Sequence, residues 1–260
     1  MLKIRDLKVT FNKNTVDEKI ALNHINLILK EGDFVTIIGN NGAGKSTLLN
    51  SIFGLVETDK GKIILDNKNI TTLSSHKRAK EIGMVFQNPS YGTAPHMTIG
   101  ENLALATMSD KQGNPFSKCM TKSNIAQFKE LLKSLGLGLE NRINANVGLL
   151  SGGQRQALSL LMATVSNPKL LLLDEHTAAL DPKTATKILA ITQDIITRKH
   201  LTTIMITHNI DNAIKYGNKL ILMQNGNIIK IYENEEKHKL SISDVMKLYA
   251  NTITDEMILK

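Results

Sequence analysis

Three short stretches carry residue types suited to a phosphorylated substrate. Gly39-Asn40-Asn41-Gly42-Ala43-Gly44-Lys45-Ser46 follows the spacing G-x-x-x-x-G-K-[ST]. Glycines let backbone N–H groups curl around phosphate oxygens with no Cβ in the way. A helix beginning at Lys45 would aim the positive end of its dipole at the same anion. Lys45 would reach the β- and γ-phosphates, Ser46 would offer a hydroxyl to Mg²⁺, and Thr47 would add a phosphate contact. Further along, Leu170 to Leu173 reads as a buried strand that delivers Asp174 and Glu175 at its C-terminal end. There Asp174 would hold Mg²⁺, directly or through water, and Glu175 would orient and polarise an attacking water. The third stretch, Leu150-Ser151-Gly152-Gly153-Gln154, is a second phosphate-binding helix start. Ser151 is a good N-cap, and Gly152 and Gly153 expose backbone donors.

Elements of a particular kind must position these groups. Residues 2 to 10 read as a strand, and Ile20 to Leu29 as another. Phe34 to Ile38 is a short apolar strand ending in glycine, and Lys45 to Phe53 a helix stopped at Gly54. Strands are expected at Lys62 to Leu65 and Ile82 to Gln87. Helical patterns follow at Ile99 to Ala106 and Ile125 to Leu135, with Ser109 to Ser123 between them as a loop or insertion. A helix after Ser151 precedes the strand at Lys169 to Leu173. Pro182 to Arg198 is a helix and Thr202 to Thr207 a strand. Lys219 to Ile231 reads as strand–turn–strand about Asn225-Gly226, with a helix after it. Strand–helix alternation at both ends implies an α/β fold with a parallel sheet covered by helices.

Composition narrows the classes. The chain has 260 residues, 42% of them hydrophobic, enough to bury a core. Its single cysteine, Cys119, excludes an intrachain disulfide and a multi-cysteine metal site. The start MLKIRDLKVT has no signal-peptide character, and apolar runs such as Leu170 to Leu173 are far too short to cross a bilayer. A soluble, cytoplasmic protein is expected. The net charge is +8, but the lysines are scattered, without basic runs or interleaved aromatics, so no nucleic-acid partner is expected.

Leu150 to Gln154 resembles the signature motif of ABC transporter ATP-binding subunits, Gly39 to Ser46 their Walker A loop, and Asp174-Glu175 their Walker B pair. The remaining family elements occur in order. Gln87 matches the Q-loop glutamine, which would contact Mg²⁺ or the water. Ala179-Leu180-Asp181 matches the D-loop, with Asp181 at the dimer interface. His208 matches the switch histidine on the γ-phosphate, and Phe11 is the candidate for stacking on adenine. The resemblance implies a P-loop NTPase (RecA-like) core over 1–87 and 159–260, an antiparallel β region, and a helical signature subdomain over 88–158. It implies a head-to-tail homodimer sandwiching ATP between Walker A of one copy and Ser151, Gly152, Gly153 and Gln154 of the other. It implies as well an integral-membrane permease, an extracytoplasmic substrate-binding protein, and a peripheral place on the inner face of a bacterial cell membrane. The segments Gln87 to Pro95, Leu158 to Thr164 and Asp174 to Pro182, the last with His176, resemble the subgroup assigned to uptake of tryptophan, tyrosine or related small molecules. Many family members have proline where this chain has His176, which leaves open a contact near the nucleotide, a contact with the second copy, or a surface or packing role. The alternative reading is a soluble ABC ATPase acting on nucleic acid or ribosomes. The chain has neither room for a long coiled coil nor a second set of motifs.

Overall fold

The computed structural model describes residues 1–108 and 121–247. Its strands are β1 (Leu2–Phe11), β2 (Lys19–Leu29), β3 (Phe34–Gly39), β4 (Lys60–Leu65), β5 (Lys68–Asn69), β6 (Ile82–Val85), β7 (Leu170–Asp174), β8 (Thr202–Ile206), β9 (Lys219–Gln224) and β10 (Asn227–Glu233). The helices are α1 (Lys45–Phe53), α2 (Ser75–Arg78), α3 (Ile99–Thr107), α4 (Lys122–Lys133), α5 (Gly152–Val165), α6 (Pro182–Lys199), α7 (Ile210–Lys215) and α8 (Asn234–His238). The chain divides into two compact units, Met1–Thr72 with Ile204–Lys260, and Leu73–Thr203.

In the first unit β1 pairs antiparallel with β2 and with β4, placing Leu2 opposite Leu29 on one side and Leu65 on the other. Leu2, Ile4, Leu7 and Val9 are buried, with more exposed residues between them. This is the period-two pattern of a sheet with one covered face. β3 is buried along its whole length and pairs parallel with β9, from Val35 opposite Lys219 to Gly39 opposite Met223. A strand buried on both faces needs a near-continuous apolar run, which Phe34 to Gly39 supplies apart from Thr36. The Thr36 hydroxyl donates to the Ala213 carbonyl at 2.7 Å, so its burial leaves no orphan donor. β9 turns into β10 through Asn225 and Gly226, both with positive φ, 46° and 75°. That is the geometry the Asn-Gly pair favours in a two-residue hairpin. The Lys237 side chain of α8 is fully buried and donates to the carbonyls of Tyr216 and of Gly217, the latter at 3.0 Å. It thereby holds α8 to the segment that leads into β9.

In the second unit β6 and β7 run parallel, Ile82 opposite Leu170 through Val85 opposite Leu173. α5 lies close against β6: a Cβ added at Gly83 would sit 2.2 Å from the Ala163 carbonyl oxygen. Thr98 and Glu101 form a reciprocal capping box at the start of α3. Asn102, fully buried in the same helix, accepts from Ala94 N at 2.7 Å and donates to the Ala94 and Thr98 carbonyls, tying down the loop before the helix.

Some boundaries differ from the expected ones. β6 stops at Val85, two residues short of Gln87, because the Phe86 carbonyl accepts from the Gln156 side chain and leaves the strand ladder. α4 begins at Lys122, capped by Thr121, so Lys122 and Ser123 belong to the helix rather than to the expected loop. The rest of that stretch, 109–120, and the tail from 248 on lie outside the described residues. No helix among the described residues is long and apolar enough to cross a membrane.

Candidate active site

The phosphate loop sits in the first unit between β3 and α1. Gly39 must lack a side chain, since a Cβ there would lie 2.3 Å from the Met223 carbonyl oxygen of β9. Gly44 caps α1 in the left-handed region, φ 95°, and a Cβ would lie 2.4 Å from the Ala21 carbonyl. The loop is braced from within and from β10's turn: Ala43 N donates to Asn40 O at 3.1 Å, and Gly226 N donates to Ala43 O at 3.1 Å. Lys45 is buried, 5% exposed, and its ammonium donates to the carbonyls of Gly39 at 2.8 Å and Asn40 at 3.1 Å. The charge is thus held against the loop's own backbone at the start of a helix, where an anion is favoured.

Beside this loop is a cleft of about 210 Å³ lined by Phe11, Lys19, Ala21 and the loop residues Asn41, Gly42, Ala43, Gly44, Lys45, Ser46 and Thr47. Phe11 is 40% exposed at the end of β1, so its ring is available to a flat partner. Lys19 and Ala21 are wall residues that the sequence reading did not single out. The signal lay in strand register, which places Lys19 directly opposite Phe11. In the same unit Thr207, just past β8, donates its N–H to Ile37 O of β3 at 3.2 Å. His208 follows at once, exposed, at the end of β8.

In the second unit the β6–β7 pair delivers Gln87, Asp174 and Glu175 from the same end of two parallel strands. Leu170 to Leu173 have no exposed surface, and each buried leucine contributes about 2 kcal/mol, which fixes where the acids emerge. Glu175 is in the left-handed region, φ 46°, unusual for a residue with a Cβ. Such backbone costs about 1–3 kcal/mol and concentrates at functional sites. The turn is closed by Ala178 N donating to Glu175 O at 2.9 Å.

Signature and D-loop come together in this unit. Ser151 caps α5 and Asp181 caps α6. A Cβ on Gly153 would lie 2.3 Å from the Thr184 methyl and one on Gly152 3.5 Å from Leu180, so the two helix starts abut. Asp181 Oδ1 accepts from Thr184 N at 3.0 Å, and the Thr184 hydroxyl and amide hold the carboxyl below its ordinary range. His176 faces inward: it is 2% exposed, and its Nε2 lies 3.1 Å from the Thr192 hydroxyl. That hydroxyl donates to the Ile188 carbonyl, so it accepts from the ring, which donates from Nε2. Burial lowers its pKa to about 4. Of the possibilities left open for His176, the packing role fits.

Among the described residues, no three His, Cys, Asp or Glu side chains cluster as a ready-made metal site. Ser46 in the first unit, and Gln87 and Asp174 in the second, each carry an oxygen donor of the kind a hard cation takes.

A glycine-rich loop between a doubly buried parallel strand and a helix, with a second strand ending in paired carboxylates, defines a P-loop nucleotide-binding protein of the α/β class. Residues 22–178 match the family described as ABC transporter. The chain is 41% identical over 250 residues to the tyrosine transport ATP-binding protein of Clostridioides difficile (strain R20291), covering 96% of this chain and 98% of that protein. It is 35% identical over 237 residues to the methionine import ATP-binding protein MetN of Streptococcus agalactiae serotype III (strain NEM316), covering 88% of this chain and 63% of that one. The dimeric, post-hydrolysis ATP-binding cassette MJ0796 with bound ADP and Pi is similar in structure. It matches at TM-score 0.77 and 31% identity over 90% of this chain and 98% of that one. The ADP form of the cassette MJ1267 matches at TM-score 0.77 and 28% identity, over 96% and 98%. The chain belongs to the ABC transporter family, as an ATP-binding subunit that hydrolyses ATP.

Proposed function

We propose that two copies of this chain pair head to tail, hydrolyse ATP at their interface, and thereby energise a separate membrane permease that imports an amino acid, tyrosine first among the candidates. The observation that carries this reading is two glycine-bearing helix starts of a kind suited to phosphate in one chain, at Lys45 in one unit and at Ser151 in the other. One triphosphate needs one cradle from each of two copies. The dimeric state of the related cassette MJ0796 supports the pairing, and the similarity to the Clostridioides tyrosine transport protein supports the substrate class.

In this reading Gly39, Asn40, Asn41, Gly42, Ala43 and Gly44 wrap the phosphates with backbone N–H groups, and Lys45 turns its ammonium from the Gly39 and Asn40 carbonyls to the β- and γ-phosphates. Thr47 adds a phosphate contact, and Phe11 stacks on adenine. Ser46, Gln87 and Asp174 would hold Mg²⁺, which would neutralise phosphate charge. Ser151, Gly152, Gly153 and Gln154 of the second copy close over the γ-phosphate, with Asp181 at the contact. Glu175 accepts the proton of the attacking water, and His208 donates to the γ-phosphate. Positioning and charge neutralisation are the main sources of rate in such transfers. Residues 88–158 form the helical subdomain that relays the change to the permease on the inner face of a bacterial cell membrane. An external binding protein supplies the substrate. The lack of basic runs speaks against the nucleic-acid alternative.

The test is uptake of radiolabelled tyrosine by cells that depend on this chain and its permease. Lys45→Ala is expected to abolish uptake. Normal uptake by that variant refutes the proposal, and energised uptake of a different solute refutes the substrate assignment.

A further inference from the structure

The nucleotide cleft holds a second cation beside Lys45. Phe11 and Lys19 are direct cross-strand partners at the open end of the β1–β2 pair, and both line the cleft. The Lys19 ammonium hangs over the phosphate loop itself: a Cβ built on Gly42 would lie 3.4 Å from Lys19 Nζ. Lys45, by contrast, is buried beneath the loop, on the Gly39 and Asn40 carbonyls. The two cations therefore approach the loop's anion-binding edge from different sides. The neighbouring acid, Glu18, is engaged elsewhere, accepting from Asn14 N at 2.9 Å. Among the described residues no carboxylate forms an ion pair with Lys19. A strand-end ammonium held over a glycine of a phosphate loop, next to an exposed ring, has the chemistry to meet a polyphosphate whose base lies on that ring.

We infer that Lys19 is a nucleotide-binding residue that contacts the phosphate chain from the β1–β2 side, between the base at Phe11 and the terminal phosphates at Lys45. This rests on the reading that ATP occupies the phosphate loop. It makes the β1–β2 hairpin a two-point clamp, an aromatic face for the base and a charge for the phosphates. The clamp is not specific to the γ-phosphate, so ADP should feel it as ATP does. Because Lys19 is exposed and its side chain makes no hydrogen bond or ion pair among the described residues, its removal should leave folding intact.

The experiment measures equilibrium binding of ATP and of ADP to the full chain and to Lys19→Ala, Lys19→Arg and Lys45→Ala, at low and at high salt. For Lys19→Ala a loss of about tenfold is expected for both nucleotides at low salt, shrinking at high salt. Lys19→Arg should retain most of the affinity. Unchanged affinity in Lys19→Ala while Lys45→Ala loses binding overturns this inference alone. Unchanged affinity in both variants means that the nucleotide does not occupy the loop, and the underlying reading falls with it. An equal loss in Lys19→Ala and Lys19→Arg also overturns the inference, since charge would not be what matters.

Discussion

Ser151 and Gln154 cap each other. Gln154 N donates to Ser151 Oγ at 3.3 Å, and Ser151 N donates to Gln154 Oε1 at 3.2 Å. The signature helix thus begins with both its cap amide and its third amide satisfied by side chains. Gln154, the last signature residue, has a local structural task besides any contact with nucleotide.

That separates two effects. Gln154→Ala should cost about 1 kcal/mol of stability, read by chemical denaturation, because the capping box is halved. Gln154→Glu keeps the acceptor and should keep the stability. A Gln154→Glu variant as unstable as Gln154→Ala would show that the box contributes nothing.

Gly44→Ala should fail both in stability and in nucleotide binding. The new Cβ would meet the Ala21 backbone carbonyl at 2.4 Å, and φ 95° is strained for alanine. Backbone cannot yield as a side-chain end can, so a loss of about 1–3 kcal/mol is expected by thermal or chemical denaturation. Wild-type stability with wild-type ATP affinity would contradict the placement of the loop against β2.

The buried His176 makes stability depend on pH. The unfolded chain takes up a proton near pH 6.5, and the folded protein only near pH 4. The stabilisation is therefore fully present above pH 6.5 and is lost as pH falls toward 4, by about 3 kcal/mol in total. His176→Gln should flatten the fall in unfolding free energy between pH 7 and pH 5. The same slope in wild type and variant would show that the ring is not buried neutral.

Glu175→Gln should lower turnover by about 100-fold or more while ATP still binds, since only proton acceptance is removed. Steady-state hydrolysis and a separate binding measurement together read this out. Hydrolysis near the wild-type rate would remove Glu175 as the base.

Local signals made much of this legible from sequence. Gly54 ended α1 where a left-handed cap was needed, and Asn225-Gly226 set the hairpin between β9 and β10. The apolar run before Asp174 could only be a buried strand, so the acids had to emerge at its end. What escaped depends on partners distant in sequence. Lys19 reaches the cleft only through its register with Phe11. The Nε2 donor role of His176 is set by Thr192, one element away, whose hydroxyl is already committed to Ile188, and burial keeps the ring neutral. Gln87 lies beyond its strand because a side chain from α5 takes the Phe86 carbonyl. The Ser151–Gln154 box was readable in the S-x-x-Q spacing, but the same residues drew a functional reading first.

The central claim is that ATP joins two copies. Size-exclusion chromatography with light scattering on Glu175→Gln, with and without saturating ATP, tests it most directly. The account predicts the mass of one chain without nucleotide and twice that mass with ATP. A single-chain mass with ATP demonstrably bound would contradict it.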